Sequence, residues 1–207
     1  MSMQRQTRFE GWRLFGLLTS ILIALCAGIA GLHAFDADGI RMVIRFTART
    51  SLLFFCLAFS AAALAHLKPN AWTRWQRRNR RYLGVTFAAS HALHAIAIAG
   101  FAALDPIGFA KATSLASYVF GGIGYGFIVA MTATSFDRSA AWLGPRAWRA
   151  LHLVGGYYLL LQFTVSFGKR IPDMPLYALF LIPLALVFAL RMIAMASRER
   201  PRTAEAG

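Results

Sequence analysis

Three histidines carry most of the chemistry this sequence could do. His91 and His94 lie three residues apart in one long apolar stretch, and His152 stands near the start of another. An imidazole can ligate a metal, move a proton or anchor a hydrogen bond, and an ionisable side chain inside a bilayer is costly enough to mark a site by default. Their spacing puts His91 and His94 on one helical face. Just beyond His152 come Gly155 and Gly156, which leave room for something flat against the helix. A porphyrin held by imidazole between two helices is such a group. The plainer alternative is structural: imidazoles that hydrogen-bond to backbone, or to Ser90, Gln162 or Thr164, and hold a bundle together. His33 and His66 lie near the ends of apolar stretches, where an interfacial role is the simpler expectation.

The elements that position these rings follow from composition. The chain is 58% hydrophobic and 14% charged, with a mean hydropathy of +0.54, which describes a protein dissolved mainly in lipid. A spanning helix needs about 20 mostly apolar residues, and six segments qualify: Leu14 to Leu32, Ser51 to Leu67, Tyr82 to Leu104, Ser114 to Ser135, Leu151 to Phe167 and Leu176 to Ala196. The expected fold is an all-α integral membrane protein, a six-transmembrane-helix bundle over residues 14–196, with a basic segment at 1–13 and a polar tail at 197–207. Arg5, Arg8 and Arg13 precede the first segment as in a signal peptide, but its apolar run is too long and lacks a convincing cleavage site, so a retained helix is expected.

A net charge of +14 would suit a nucleic-acid partner on a soluble domain. Here the Lys and Arg sit between apolar spans, so no nucleic acid is expected. The charges report orientation instead. Lys68, Arg74, Arg77, Arg78, Arg80 and Arg81 follow the second segment with no acid among them, whereas Asp105 to Thr113 has one acid and one base. With six alternating helices, Arg138, Arg146, Arg149, Arg191, Arg198, Arg200 and Arg202 fall on the same side, which places both termini in the cytoplasm. The Gly168 to Met174 connection, with Lys169 and Arg170, fits that rule least well. The tail after Arg198 is expected to fray. Cys26 and Cys56, each within an apolar run, read as small buried residues rather than a disulfide or a thiolate zinc site.

Arg41, Arg45 and Arg49 recur every four residues among Ile40, Met42, Val43, Ile44 and Phe46, so their guanidinium groups share a helical face. Two readings stay open: an interfacial helix whose arginines snorkel toward headgroups, or an anion cradle for a phosphate, a carboxylate or a cofactor propionate. Gly121-Gly122-Ile123-Gly124-Tyr125-Gly126 sits mid-span, which is wrong for a nucleotide loop, and Gly122 and Gly126 have the spacing for close helix packing. Asp105, Asp137 and Asp173 lie in loops away from the histidines, so no catalytic acid or base is assigned.

Two stretches carry a family likeness. Arg80-Arg81-Tyr82-Leu83-Gly84 is followed by Ala92-Leu93-His94, and Thr134-Ser135 by Leu143-Gly144 and then Trp148-Arg149-Ala150-Leu151-His152. Together they resemble the ferric-reductase-like transmembrane domain family of bacterial haem membrane subunits, metalloreductases and NADPH oxidases. The pattern is most similar to the haem-binding membrane subunits of bacterial methionine sulfoxide reductase systems. The resemblance implies a b-type cytochrome of the bacterial inner membrane, the electron-transfer subunit of an oxidoreductase. Haem b would lie between the third and fifth segments, with His94 and His152 at iron-ligand positions. A quinone or a flavin is the other cofactor such a bundle could serve. With no soluble flavin or nicotinamide domain expected, electrons would come from a quinol or a separate reductase.

The chain departs from the family where the second ligands should stand. Val165 occupies the position of a later histidine in the fifth segment, with Gln162 the nearest polar residue, and Arg80 lies fourteen residues before His94 where another is expected. By depth, His91 or His66 is the better partner for His152. A rearranged bis-histidine site, a five-coordinate haem, and a haem-free bundle that binds a quinone, a lipid or a partner membrane protein are the alternatives. In the haem reading Arg45 would face a propionate.

Overall fold

The computed structural model describes residues 9–199, so most of the basic segment and most of the polar tail, including the fraying expected there, lie outside the described residues. Apolar helical runs separated by short capped turns give helices α1 (Gly11–Leu32), α2 (Ala37–Leu67), α3 (Ala71–Arg78), α4 (Arg80–Leu104), α5 (Pro106–Ala112), α6 (Leu115–Ala133), α7 (Asp137–Leu143), α8 (Pro145–Gly168) and α9 (Leu181–Glu199), the last preceded by a 3-10 turn over Pro175–Phe180. Six of these stretches are long and apolar enough to cross a membrane. The protein is a multi-pass, all-α membrane protein, in which helices satisfy their own backbone polar groups as a bilayer demands.

The second span is longer than the sequence suggested. Residues 37–50 form no separate interfacial helix; they are the first half of α2, a single helix of 31 residues. Two features cause this. Asp36 caps the helix, its Oδ1 accepting from Gly39 N at 2.7 Å, after Ala34 and Phe35 reverse the chain at φ 49° and 57°, a conformation uncommon for residues with side chains. Ile40, Val43 and Ile44 then pack against Cys26 and Ala30 of α1 and Ala97 of α4. The same neighbours run on along the span, so nothing interrupts the helix. Arg41, Arg45 and Arg49 project from its exposed face.

The basic connection after α2 is folded rather than loose. Asn70 and Thr73 cap α3 reciprocally at 2.9 and 3.0 Å. Gln76 donates to Leu57 O at 2.8 Å, and Asn79 Oδ1 accepts from Gly11 N at 2.9 Å, which ties this amphipathic turn to α2 and α1. Trp72 and Trp75 stack at 4.8 Å on a helix that also carries Arg74, Arg77 and Arg78, the composition of an interfacial element.

Lipid tails are as apolar as leucine, so the helices are held by packing and inter-helix hydrogen bonds rather than by exclusion from water. The packed spine is aromatic: Phe55 stacks on Phe59 at 5.1 Å and meets Phe87 and Phe163 at 5.8 and 5.3 Å. Between α2 and α4 runs a buried polar seam in which Ser90 Oγ lies 2.9 Å from Thr50 Oγ1 and 3.0 Å from Ser51 Oγ. Helix α6 is peripheral, burying only Gly124 and Ile128. The close approach in its glycine run is made by Gly124, where an added Cβ would stand 3.7 Å from Gln162 and Tyr158. Gly122 and Gly126, expected to pack, have nothing within 4 Å; their face turns away from the bundle. Cys26 and Cys56 are buried and unpaired with each other, as expected.

Candidate functional site at the basic end of the bundle

A cavity of about 340 Å³ opens among α2, α4, α6, α7 and α8 at the end where α4 and α8 begin. That size is within the range of small-molecule sites. Its wall is mostly apolar, from Phe55, Phe59, Phe87 and Leu159, and its polar groups are Arg80, Arg81, Thr132, Thr134, Ser135, Trp148 and His152. Arg80 and Arg81 enter from the first turn of α4, because Asn79 both ends α3 and starts α4. Trp148 and His152 are one turn apart on α8, and so share a face.

His152 is held by its own helix. Its Nδ1 lies 3.1 Å from Trp148 O, and the two rings stack at 4.2 Å. With a carbonyl as partner, Nδ1 carries the proton, which in a neutral ring leaves the lone pair on Nε2, the arrangement that metal-ligating imidazoles commonly use; the Met131 carbonyl lies beside the same ring. Trp148 Nε1 donates to Thr134 O at 3.0 Å and so ties the start of α8 to the end of α6. Arg81 is bonded to Asp137 on α7 and holds that carboxyl below the ordinary carboxylate range. Arg80 has no carboxylate partner among the described residues.

The glycines do not do what their spacing suggested. The space beside Gly156 is taken by Phe59, whose Cε2 would lie 2.7 Å from an added Cβ, and that beside Gly155 by Phe127 and Met131 at 2.9 and 3.0 Å. The flat groups against α8 are this chain's own rings. Of the two glycines that line the cavity, Gly84 on α4 faces open space, with nothing within 4 Å of an added Cβ.

The other expected site residues are spread over two levels. His94 lies fourteen residues beyond Arg80 on α4, about 21 Å of helix rise, so it is not brought to His152. Its Nδ1 is 3.0 Å from Thr47 Oγ1 and 3.1 Å from Ile44 O. His91 is its neighbour, ring centroids 5.2 Å apart, within an aromatic surround of Phe87, Tyr125 and Phe163, and its buried Nδ1 has no hydrogen-bond partner among the described residues. His66 is exposed, its Nε2 3.0 Å from Ser197 Oγ on α9, and it does not line the cavity. Arg45 is exposed on α2 at the level of His94. The polar partners expected for the imidazoles are engaged elsewhere: Ser90 in the α2–α4 seam, Thr164 on Leu160 O, and Gln162 against Gly124.

The sequence does not reveal the cavity as a unit or the place of Phe59 in its wall, and it assigns no role there to Gly84 or to the Arg81 partner Asp137. The signal for the cavity was the pair of stretches from Arg80 to His94 and from Thr134 to His152, since Arg80, Arg81, Gly84, Thr134, Ser135, Trp148 and His152 all belong to them and all line it. What fold and site together define is a polytopic helical membrane protein with a basic, aromatic-walled cavity at one end. Compared with protein-family models, curated proteins and solved structures, the chain finds no match.

Proposed function

We propose that this chain is an integral-membrane electron-transfer protein of the b-type cytochrome class, with haem b seated in the cavity at the basic end. The observation that carries this reading is convergence: seven residues from two separate stretches, a lone imidazole and a carboxylate-free guanidinium among them, line one apolar-walled space. The donor set fits the group. His152, with Nδ1 engaged by Trp148 O, offers Nε2 to iron, and Arg80 offers charge to propionate carboxylates. Haem, when bound, supplies one-electron exchange at a potential set by its axial ligand and surroundings. The chain's own residues do the rest. Phe55, Phe59, Phe87 and Leu159 exclude water, Trp148 fixes the imidazole plane, and the uncompensated charge of Arg80 favours an anionic occupant.

The second level does not fit a further haem in the same manner. His91 and His94 come from one face of one helix, the α8 ring turned toward His91 is that of Phe163, and Val165 is 57% exposed. The proposed protein therefore holds one haem with one protein imidazole, and takes electrons from a quinol or a separate reductase. Haem per chain, after expression with haemin, and a reduced-minus-oxidised spectrum in mild detergent test this. About one haem per chain with a b-type band is expected. A colourless, folded protein would leave a quinone or lipid as the occupant of the same cavity.

A further inference from the structure

We propose that the end of the bundle opposite the His152 cavity holds a binding site for a phosphate group, built by Arg49, Arg170 and the hydroxyl of Tyr177. Three separate elements bring these residues together: Arg49 comes from the exposed face of α2, Arg170 from the turn after α8, and Tyr177 from the 3-10 turn before α9. Tyr177 is only 4% exposed, and its hydroxyl accepts from Arg170 Nη1 at 3.4 Å. The Arg170 guanidinium lies 5.6 Å from the Tyr177 ring centre, and that of Arg49 lies 5.9 Å from the same ring and 5.4 Å from Phe180. Two cations thus converge on one aromatic group.

No carboxylate among the described residues balances them. The ion pairs among the described residues are Arg41 with Asp38, Arg78 with Glu10, and Arg81 with Asp137. Asp173, three residues from Arg170, is exposed and makes none. Cation–π contact offsets part of the mutual repulsion, but like charges at the edge of a bilayer call for an anion.

The donors specify phosphate. Guanidinium forks match phosphate oxygens in pairs. The Tyr177 oxygen already accepts from Arg170 and keeps its proton to donate. Leu176 and Leu179, 73% and 59% exposed on either side of Tyr177, provide apolar surface for acyl chains. A phospholipid headgroup and free phosphate share the chemistry, and the experiment separates them.

The full chain is titrated with inorganic phosphate in detergent, and in a second arm is reconstituted in nanodiscs of phosphatidylglycerol or phosphatidylcholine. Thermal unfolding is followed by tryptophan fluorescence, and retained lipid by native mass spectrometry. Arg49→Gln and Arg170→Gln should each weaken binding roughly tenfold, and Tyr177→Phe by less, while Arg74→Gln, exposed on α3, leaves it unchanged. Retention of phosphatidylglycerol without a response to inorganic phosphate identifies the headgroup; a shift with inorganic phosphate alone identifies the free ion. Binding in neither arm, or binding indifferent to all three substitutions, overturns the site. Should Arg170→Gln fail to fold, Arg49→Lys keeps the charge and removes the fork, and undiminished binding there is equally fatal to the proposal.

Discussion

Gly84 and Gly156 line the same cavity from facing helices, yet alanine should have opposite effects at the two positions. At Gly156 an added Cβ meets Phe59 Cε2 at 2.7 Å and Cδ2 at 3.2 Å, well inside ordinary contact distance. The ring has little room to retreat. Phe55 stacks on it at 5.1 Å, Tyr157 meets it edge-on at 5.4 Å, and the Arg191 guanidinium sits 4.1 Å above it. Overpacking of this kind costs about 1–3 kcal/mol, offset by about 0.5–1 kcal/mol from replacing a mid-helix glycine. Gly156→Ala is therefore expected to destabilise the protein by roughly 0.5–2 kcal/mol. Gly84→Ala keeps the helix gain alone and should stabilise it by about 0.5–1 kcal/mol. Titration from mild detergent into SDS, followed by tryptophan fluorescence, gives both values. Equal stability of the two variants would refute the close contact between α8 and Phe59 on which the cavity wall depends.

Val165→His should add no haem signal, because position 165 faces outward at 57% exposure; a second b-type component would mean that α8 is rotated from the orientation described. Thr47→Val removes the oxygen 3.0 Å from His94 Nδ1 but leaves Ile44 O in place, so a loss of about 0.6 kcal/mol is expected in the same SDS titration. A neutral result would show that this inter-helix bond contributes nothing. Asp137 is held below the ordinary carboxylate range by Arg81. Its folded-state value is thus lower than its unfolded one, so its contribution is present at neutral pH and is lost as pH falls through that lowered value. Asp137→Asn should flatten this acid limb of the unfolding profile, and an unchanged limb would assign the pH dependence to other carboxyls.

Hydropathy made the six spans legible because lipid-facing and packed faces are both apolar: Ile96, Val129 and Leu161 are exposed side chains that lipid accepts as readily as the core does. The same property hid the helix faces. Charge at Arg41, Arg45 and Arg49 suggested an interfacial piece, whereas Ile40, Val43 and Ile44 on the opposite side join the core and carry α2 through. The adjacent glycines of α8 marked a close approach without showing what approaches, whereas the Gly122 and Gly126 spacing pointed to the wrong face of α6, the contact being made by Gly124. At Gly155 and Gly156 the groups that approach are Phe127 and Phe59, which sequence distance could not connect to α8. Histidine spacing gave the pairing of His91 with His94 directly. The separation of His94 from His152 followed from helix rise alone. The hydrogen bond from Nδ1 to Trp148 O is a one-turn contact and was there to be read.

The most direct test of the central claim is the haem content and reduced-minus-oxidised spectrum of His152→Ala beside His66→Ala, both purified as folded protein after expression with haemin. The account predicts that His66→Ala keeps the b-type band, since His66 is exposed and bonded to Ser197, and that His152→Ala loses it. Undiminished haem in His152→Ala would contradict the account and move the cofactor away from this cavity.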